Sequence, residues 1–404
     1  MINNAKDITE LKIFRQNVLA GYLRRTQHGC AFDFDNEFLN NPRFHGLSYQ
    51  MPKTRESIVH AGVNLHPFFA GLLPEGLRLR LLVKQLKTSE DDLFTLFAAA
   101  GTKSVGDVYA ATEDLIIPDI EAPALDEVNF YKFFFEQAEA GHLELTSDSI
   151  AGVQEKMSAS MISLPLHIAE SHKSYILKLN PEDKPNLVQN EKICLALAHH
   201  CGIRVNNAKL IYDKNRNPGL LVERFDRIEG DNLQVSLMLH QEDACQFLDY
   251  YPADKYRLSF REIAEGMAEI CSAPKIDLLR LLQIYAFSYL IGNGDLHAKN
   301  ISLYTDSKSG RISLTPAYDL LTTYIYKDHH MALKLDGRDD NLKRSNFIAF
   351  GTRLGVSDKA INQMLNRLLT KFKKHGHMLY TFPLTEKQKS LLKTVVKKRA
   401  EDLS

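Results

Sequence analysis

The stretch Ile291-Gly-Asn-Gly-Asp-Leu-His-Ala-Lys-Asn300 decides how this chain is read. It follows residues 276–291, a run apolar on nearly every side and therefore expected to form a buried helix. That helix ends in a glycine-rich turn, which then presents an acid, an imidazole, an ammonium and an amide within six residues. Gly, Asn and Asp are ordinary turn residues, so a plain hydrated loop also accounts for the composition. The spacing supports a different reading. Protein kinases place an Asp that accepts the substrate hydroxyl proton five positions before an Asn that holds Mg²⁺. Asp295 and Asn300 have that spacing, and Lys299 is available to offset charge on a transferred phosphoryl group. A strand expected at 312–315 is followed by Pro316-Ala-Tyr-Asp-Leu320, whose Asp319 stands nineteen residues after Asn300. A kinase needs a second hard oxygen ligand for Mg²⁺ just past such a strand, and Asp319 meets that need. The competing reading makes Asp319 a helix N-cap before Leu320 and Leu321.

Upstream, Lys178 lies within Tyr175-Ile-Leu-Lys-Leu179, an otherwise apolar strand. A lysine there is commonly a snorkelling edge residue; in a kinase-like lobe it contacts the α- and β-phosphates, with Glu191 on the next helix as its ion-pair partner. Ser149-Ile-Ala-Gly-Val-Gln-Glu-Lys156 has a single glycine and reads by motif as an ordinary turn. Its place between a helix and the first strand of a small lobe suits a loop whose backbone N–H groups cradle phosphate. Leu221-Val-Glu-Arg-Phe-Asp226 falls where the chain passes between lobes, and its backbone is placed to hydrogen-bond an adenine with Phe225 nearby. The bland alternative is a strand end carrying a surface charge cluster.

The surrounding pattern fits two or three domains, as 404 residues allow. Residues 8–111 mix short strands with two helices, one over 75–87 and one opened by a Ser89/Asp92 capping box. Residues 113–127 hold six acids, two prolines and no Lys or Arg, the composition of a connector. A helix is expected over 129–141, strands over 157–167 and 173–180, a helix over 186–201, and strands over 208–212 and 219–225. From about Tyr256 onward the signal is mainly helical. The fold class is thus α+β: a small mixed α/β lobe and a large mainly helical lobe, a bilobal kinase-like arrangement preceded by an N-terminal α/β subdomain. The expected boundaries are 1–112 for the subdomain, 113–127 for the connector, 128–226 for the small lobe and 227–404 for the large one.

Fifty Lys and Arg against fifty Asp and Glu disfavour a chain whose main work is wrapping nucleic acid. Residues 371–404 nevertheless carry nine Lys or Arg against three acids, read first as a solvated helix face and second as a phosphate contact. Five scattered cysteines without a C-x-x-C pair argue against a disulfide framework or structural zinc. Residues 1–10 carry charge and no apolar run, and the longest apolar stretch, 281–294, is too short to span a bilayer. A cytoplasmic protein with no membrane association is expected.

Taken in order, Ser149–Lys156, Ile176–Leu179, Val222–Arg227, Gly292–Asn300 and Ala317–Leu320 resemble the motifs of the HipA family of toxin serine/threonine kinases. Leu72-Leu-Pro-Glu-Gly76 and Val105-Gly-Asp107 resemble that family's N-terminal domain, so the likeness spans the chain to about residue 375. The resemblance implies transfer of the ATP γ-phosphate to a serine of a protein, an aminoacyl-tRNA synthetase in characterised members, with arrest of growth. It implies Asp295 as catalytic base assisted by Lys299, and Asn300 and Asp319 as Mg²⁺ ligands. ATP would be bound by Ala151, Gly152, Val153, Gln154, Lys178, Glu223, Phe225 and His297. Ser149 would be the autophosphorylation site, and because Ala151 stands where some relatives have a second serine, a single site is expected. The implied partner is a HipB-like helix-turn-helix antitoxin bound to operator DNA. Two other readings stay open: a small-molecule or lipid kinase on the same scaffold, and a catalytically silent scaffold that binds only antitoxin or DNA.

Overall fold

The computed structural model describes residues 5–62, 65–101, 105–111, 122–140, 161–168, 173–228 and 237–404. The chain divides into two compact units, one built from residues 1–185 and 211–252 and the other from 186–210 and 253–404. The fold class is α+β, as expected. Residues 186–210, placed with the small lobe from sequence, cluster with the second unit, and residues 227–252 cluster with the first. Among the described residues, no helix is long and apolar enough to cross a membrane.

The first unit opens with a five-stranded antiparallel sheet in the order β4-β3-β2-β1-β5: β1 Glu10–Arg15, β2 Val18–Thr26, β3 Gly29–Phe34, β4 Ile58–Ala61 and β5 Val108–Ala111. Its inward side chains Leu11, Ile13, Leu23 and Phe32 pack with Phe68, Phe69, Phe94 and Phe97. These aromatics lie on short helices Pro67–Gly71 and Leu93–Ala100, so this segment holds more helices than the two expected. The second of them is capped by Asp92, whose carboxylate accepts the Thr95 N–H at 3.3 Å. Ser89 forms no capping box; its hydroxyl accepts the Asp91 N–H within the preceding turn.

The same unit holds a second sheet, in the order β6-β7-β9-β8, with β6 Ile162–Ile168, β7 Lys173–Leu179, β8 Ala208–Tyr212 and β9 Pro218–Glu223. Alternate residues Ile162, Leu164 and Leu166 turn inward, as a period of two requires. They meet Phe130, Phe133 and Phe134 of helix Phe130–Ala140, together with Leu81 of helix Gly76–Leu86.

The second unit is built around helix Pro274–Ile291, buried on almost every side from Leu278 to its end. Two of its buried hydroxyls find partners on the packed chain: the Tyr285 hydroxyl donates to the Leu333 carbonyl at 2.7 Å, and the Tyr289 hydroxyl accepts the Leu342 N–H at 3.1 Å. A hydroxyl buried without such a partner would cost several kcal/mol, about 1–3 by mutational measures.

One buried polar network in the first unit ties the five-stranded sheet to the chain after β9. His240 stands between two carboxylates, with Nδ1 at 2.7 Å from Asp107 and Nε2 at 2.7 Å from Glu242. Arg15 also donates to Asp107, at 3.0 Å, and the Tyr49 ring meets the imidazole edge-on. The neighbouring Gly106 N–H donates to Asp226, which Arg224 grips through two hydrogen bonds of 3.0 and 2.6 Å and Arg227 through one of 2.8 Å. Burial raises the Asp107 carboxyl, but His240 and Arg15 overcome it and hold it near 2. Burial and Arg15 push His240 down, and the carboxylates of Asp107 and Glu242 more than reverse this, so its value is raised. Since the folded value lies above the unfolded value of about 6.5, the imidazolium contributes its full stabilisation below that pH. The contribution fades as pH rises through the folded value. His240→Gln should therefore cost about 3 kcal/mol at pH 6 and clearly less at pH 8.5, measured by urea unfolding followed by circular dichroism. A cost independent of pH would mean that His240 is neutral in the folded protein.

Candidate active site

Helix Pro274–Ile291 stops at Gly292, which adopts the left-handed conformation at φ +73°. Its N–H bonds back to the Tyr289 carbonyl at 3.2 Å, and Asn293 N–H to that of Ser288 at 2.9 Å. A side chain is excluded here on two counts, because a Cβ would also lie 2.9 Å from the Cβ of Tyr324. Gly294 is constrained too: a Cβ there would lie 2.5 Å from the Asp328 carboxylate. Gly294 N–H donates to the Thr323 hydroxyl at 2.7 Å. The loop is thus an ordered turn held by its neighbours, not a hydrated excursion.

After the turn, Asp295 is half-buried and its N–H donates to the Asn293 side chain at 3.1 Å. The 3₁₀ turn Ala298–Asn300 follows, closed by the Asn300 carboxamide accepting the His297 N–H at 3.1 Å. His297 is buried in this turn, and Lys299 is half-buried.

The chain then forms the hairpin of β10 Ser302–Thr305 and β11 Ile312–Leu314, which brings Asp319 back to Asn300. Asn300 Nδ2 donates to Asp319 Oδ2 at 3.3 Å. Tyr318 fastens the approach, its hydroxyl 2.8 Å from the Lys299 carbonyl and 2.5 Å from Ser302 Oγ. No helix starts at Asp319, so the N-cap reading fails; the residue stands at φ +52°, and only a 3₁₀ turn, Tyr324–Tyr326, follows. A left-handed aspartate costs about 1 kcal/mol and persists where its surroundings fix it. The fixing groups are visible. Thr323 and Tyr324 donate their N–H groups to the Gly292 carbonyl at 2.9 and 3.1 Å. Asn190, buried on helix Leu187–His200, takes the Thr322 N–H at 2.9 Å and returns its own N–H to the Thr322 carbonyl at 2.8 Å.

Asn300 and Asp319 therefore offer an amide and a carboxylate side by side, hard oxygen donors of the kind Mg²⁺ takes alongside substrate phosphates and water. Among the described residues, no group of three or more His, Cys, Asp and Glu comes together to hold a metal. Of the other residues expected at the site, Lys178, Glu223 and Phe225 lie in the first unit. Lys178 is buried on β7, an interior strand paired on both sides, opposite Ser163 and Leu220. The snorkelling-edge reading of Lys178 does not survive that position. Glu223 closes β9 and accepts an ion pair from Lys173 at 2.7 Å. Phe225 is half-buried between Arg224 and Asp226, which are buried and paired, so the motif is no surface charge cluster. Glu191 is fully buried in the second unit. Ser149, Ala151, Gly152, Val153 and Gln154 lie outside the described residues.

Two residues of the site carry no motif. Asn190 has one weak signal, an asparagine inside a helix, where it is a poor former. Tyr256, whose hydroxyl donates to Asp295 at 2.7 Å, has none. Asn190→Ala would strip partners from two buried backbone groups of Thr322. It should lower the unfolding free energy by about 2–4 kcal/mol, read from urea midpoints. An unchanged midpoint would show that the clamp contributes nothing.

A family profile described as the HipA-like C-terminal domain matches residues 148–375, and one described as the HipA N-terminal domain matches 11–111. The serine/threonine-protein kinase toxin HipA of Shewanella oneidensis is 28% identical over 323 residues, 74% of each chain. Y4mE of Sinorhizobium fredii, which carries a provisional kinase name, is 29% identical over 347 residues, 81% of each. In fold, the chain matches a HipA chain solved in the Shewanella oneidensis HipA, HipB and operator DNA complex, with a TM-score of 0.73 at 21% identity over 97% of both chains. With the C-terminal profile alone covering more than half its length, the chain belongs to the HipA family of serine/threonine-protein kinase toxins.

Proposed function

We propose that this chain transfers the γ-phosphate of ATP to a serine hydroxyl of a protein. The meeting of Asn300 with Asp319 at 3.3 Å, on a loop that also carries Asp295, is the observation that supports it most. Asp295 accepts the proton of the attacking hydroxyl as the new O–P bond forms and the bond to ADP breaks. Lys299 offsets charge on the phosphoryl group. Asn300 and Asp319 would hold Mg²⁺, which would supply positive charge to offset that of the phosphates. The buried Lys178 meets the α- and β-phosphates, while Glu223, Phe225 and His297 serve the nucleotide. The backbone of Ala151, Gly152, Val153 and Gln154 covers the phosphates, and phosphorylation of Ser149 in the same loop switches the enzyme off.

The biological reading follows from the family. The target is an aminoacyl-tRNA synthetase, so that translation stalls and growth arrests. A HipB-like helix-turn-helix antitoxin restrains the enzyme in the cytoplasm, a partner supported by the relative whose structure is described with HipB and operator DNA. On this reading residues 1–112 form the subdomain particular to the family, 113–127 a connector, and 128–226 and 227–404 the two lobes.

Incubation with labelled ATP and Mg²⁺ should phosphorylate Ser149, and Asp295→Ala should lower incorporation at least 100-fold. Mg²⁺-ATP should raise the melting temperature of the wild type, since a ligand at 100 times its Kd adds about 2.7 kcal/mol. Asp319→Ala should remove the Mg²⁺-dependent part of that rise. Equal labelling of wild type and Asp295→Ala would overturn the catalytic assignment, and no response to nucleotide would favour the silent scaffold.

A further inference from the structure

The Asp295 carboxylate has one hydrogen-bond partner among the described residues, the hydroxyl of Tyr256 at 2.7 Å from Oδ1. Tyr256 lies 39 residues upstream, in the turn that follows the 3₁₀ segment Pro252–Asp254. That turn is itself pinned. Arg257 N–H donates to the Asp254 carbonyl at 2.7 Å, and the Arg257 guanidinium to the Asp254 carboxylate at 2.9 Å. It joins the catalytic loop at two further points. The Lys255 carbonyl accepts the Ala298 N–H at 3.1 Å, and the Tyr256 ring stands edge-on to the His297 imidazole, 5.1 Å between centroids at 86°.

We infer that Tyr256 is a positioning residue for phosphoryl transfer, fixing the rotation of the Asp295 carboxylate so that Oδ2 faces the acceptor hydroxyl. The inference rests on Asp295 being the base. The terminal torsion of an aspartate is broad and roughly two-fold, so backbone placement alone does not aim its oxygens. A hydrogen bond from a phenol whose ring packs on His297, in a turn tied to the same loop through Lys255, supplies the missing constraint. The same contact could in principle act as a latch that blocks the base. Lone-pair arithmetic decides against that, because a carboxylate offers about four acceptor positions and Tyr256 takes one. Tyr256 is also 53% exposed, which leaves room for an acceptor to approach beside it.

The test uses the full chain and counts ADP released from Mg²⁺-ATP, which registers transfer to its own serine, to added dephosphorylated casein or to water. Tyr256→Phe keeps the ring on His297 and removes only the hydroxyl. It should lower kcat about 10- to 100-fold, the cost of a misaimed reacting group. The KM for ATP should stay within about twofold and the melting temperature within about 2 °C, as for an exposed substitution. Tyr256→Ala should lose at least as much activity. Asp295→Ala should be silent. If Asp295→Ala is silent and Tyr256→Phe matches the wild type, or exceeds it as a latch mutant would, the inference is overturned alone. If the wild type releases no ADP, or Asp295→Ala releases as much, the assignment of the base falls and takes the inference with it.

Discussion

A single carbonyl organises the catalytic unit. Gly292 ends the buried helix in a left-handed turn, and that turn leaves its carbonyl free to accept two N–H groups, those of Thr323 and Tyr324. The segment ahead of this point carries Asp295 and Asn300; the segment behind it carries Asp319. Fixing both to one acceptor sets the spacing of the Asn300 and Asp319 side chains. A β-carbon at Gly292 would have to displace Tyr324 and adopt a backbone conformation costing about 1 kcal/mol. The glycine is required by geometry and not by flexibility. Asn190 completes the arrangement by pairing both backbone groups of Thr322, as a strand edge would.

The first unit solves a different problem with charge. Its five- and four-stranded sheets have separate apolar cores, and helix Gly76–Leu86 contributes Leu81 to the second of them. The same unit also carries Arg15, Asp107, His240, Glu242, Arg224, Asp226 and Arg227, mostly buried. Removing charges from water is costly, and an apolar cluster of equal volume often stabilises as well or better. Charged groups differ in demanding fixed partners. Asp107 accepts from both Arg15 and His240, and Asp226 accepts from two arginines and from Gly106 N–H, so neither tolerates a shifted register of β5. The Val105-Gly-Asp107 motif therefore specifies how the subdomain's last strand meets the chain after β9.

Much of this was legible in the sequence because it follows from short periods. The apolar run to Ile291 gave a buried helix and the alternation at 162–168 a half-buried strand. Lys178 was placed on the correct strand, but its burial was not, since one sequence does not reveal that β7 is interior. Asn190, Tyr256 and His240 were illegible for a common reason. Each acts on a partner far along the chain, at separations of 132, 39 and 133 residues, and no local pattern records such a pairing. The N-cap reading of Asp319 erred the other way, because Asp before Leu-Leu satisfies a local rule that tertiary contacts override.

In the basic stretch at 371–404 seven of the nine cations are exposed, as a solvated helix face requires. Arg399, one of its nine cations, is 2% exposed and does not face solvent. It lies over the rings of Tyr289 and Tyr324, 4.4 and 5.4 Å from their centroids. Its guanidinium donates to the carbonyls of Tyr289 at 2.8 Å and His329 at 2.9 Å and to Asp340 at 3.0 Å. Tyr289 belongs to the helix that delivers the catalytic loop, and Tyr324 to the turn after Asp319. Arginine suits this place because its planar fork can stack on rings and donate in several directions at once, where an ammonium could not. Helix Glu386–Asp402 thus braces both arms of the Gly292 junction through one buried charge. A count of cations over this stretch reads as a surface property, whereas the cation that matters to the site is the one withdrawn from the surface.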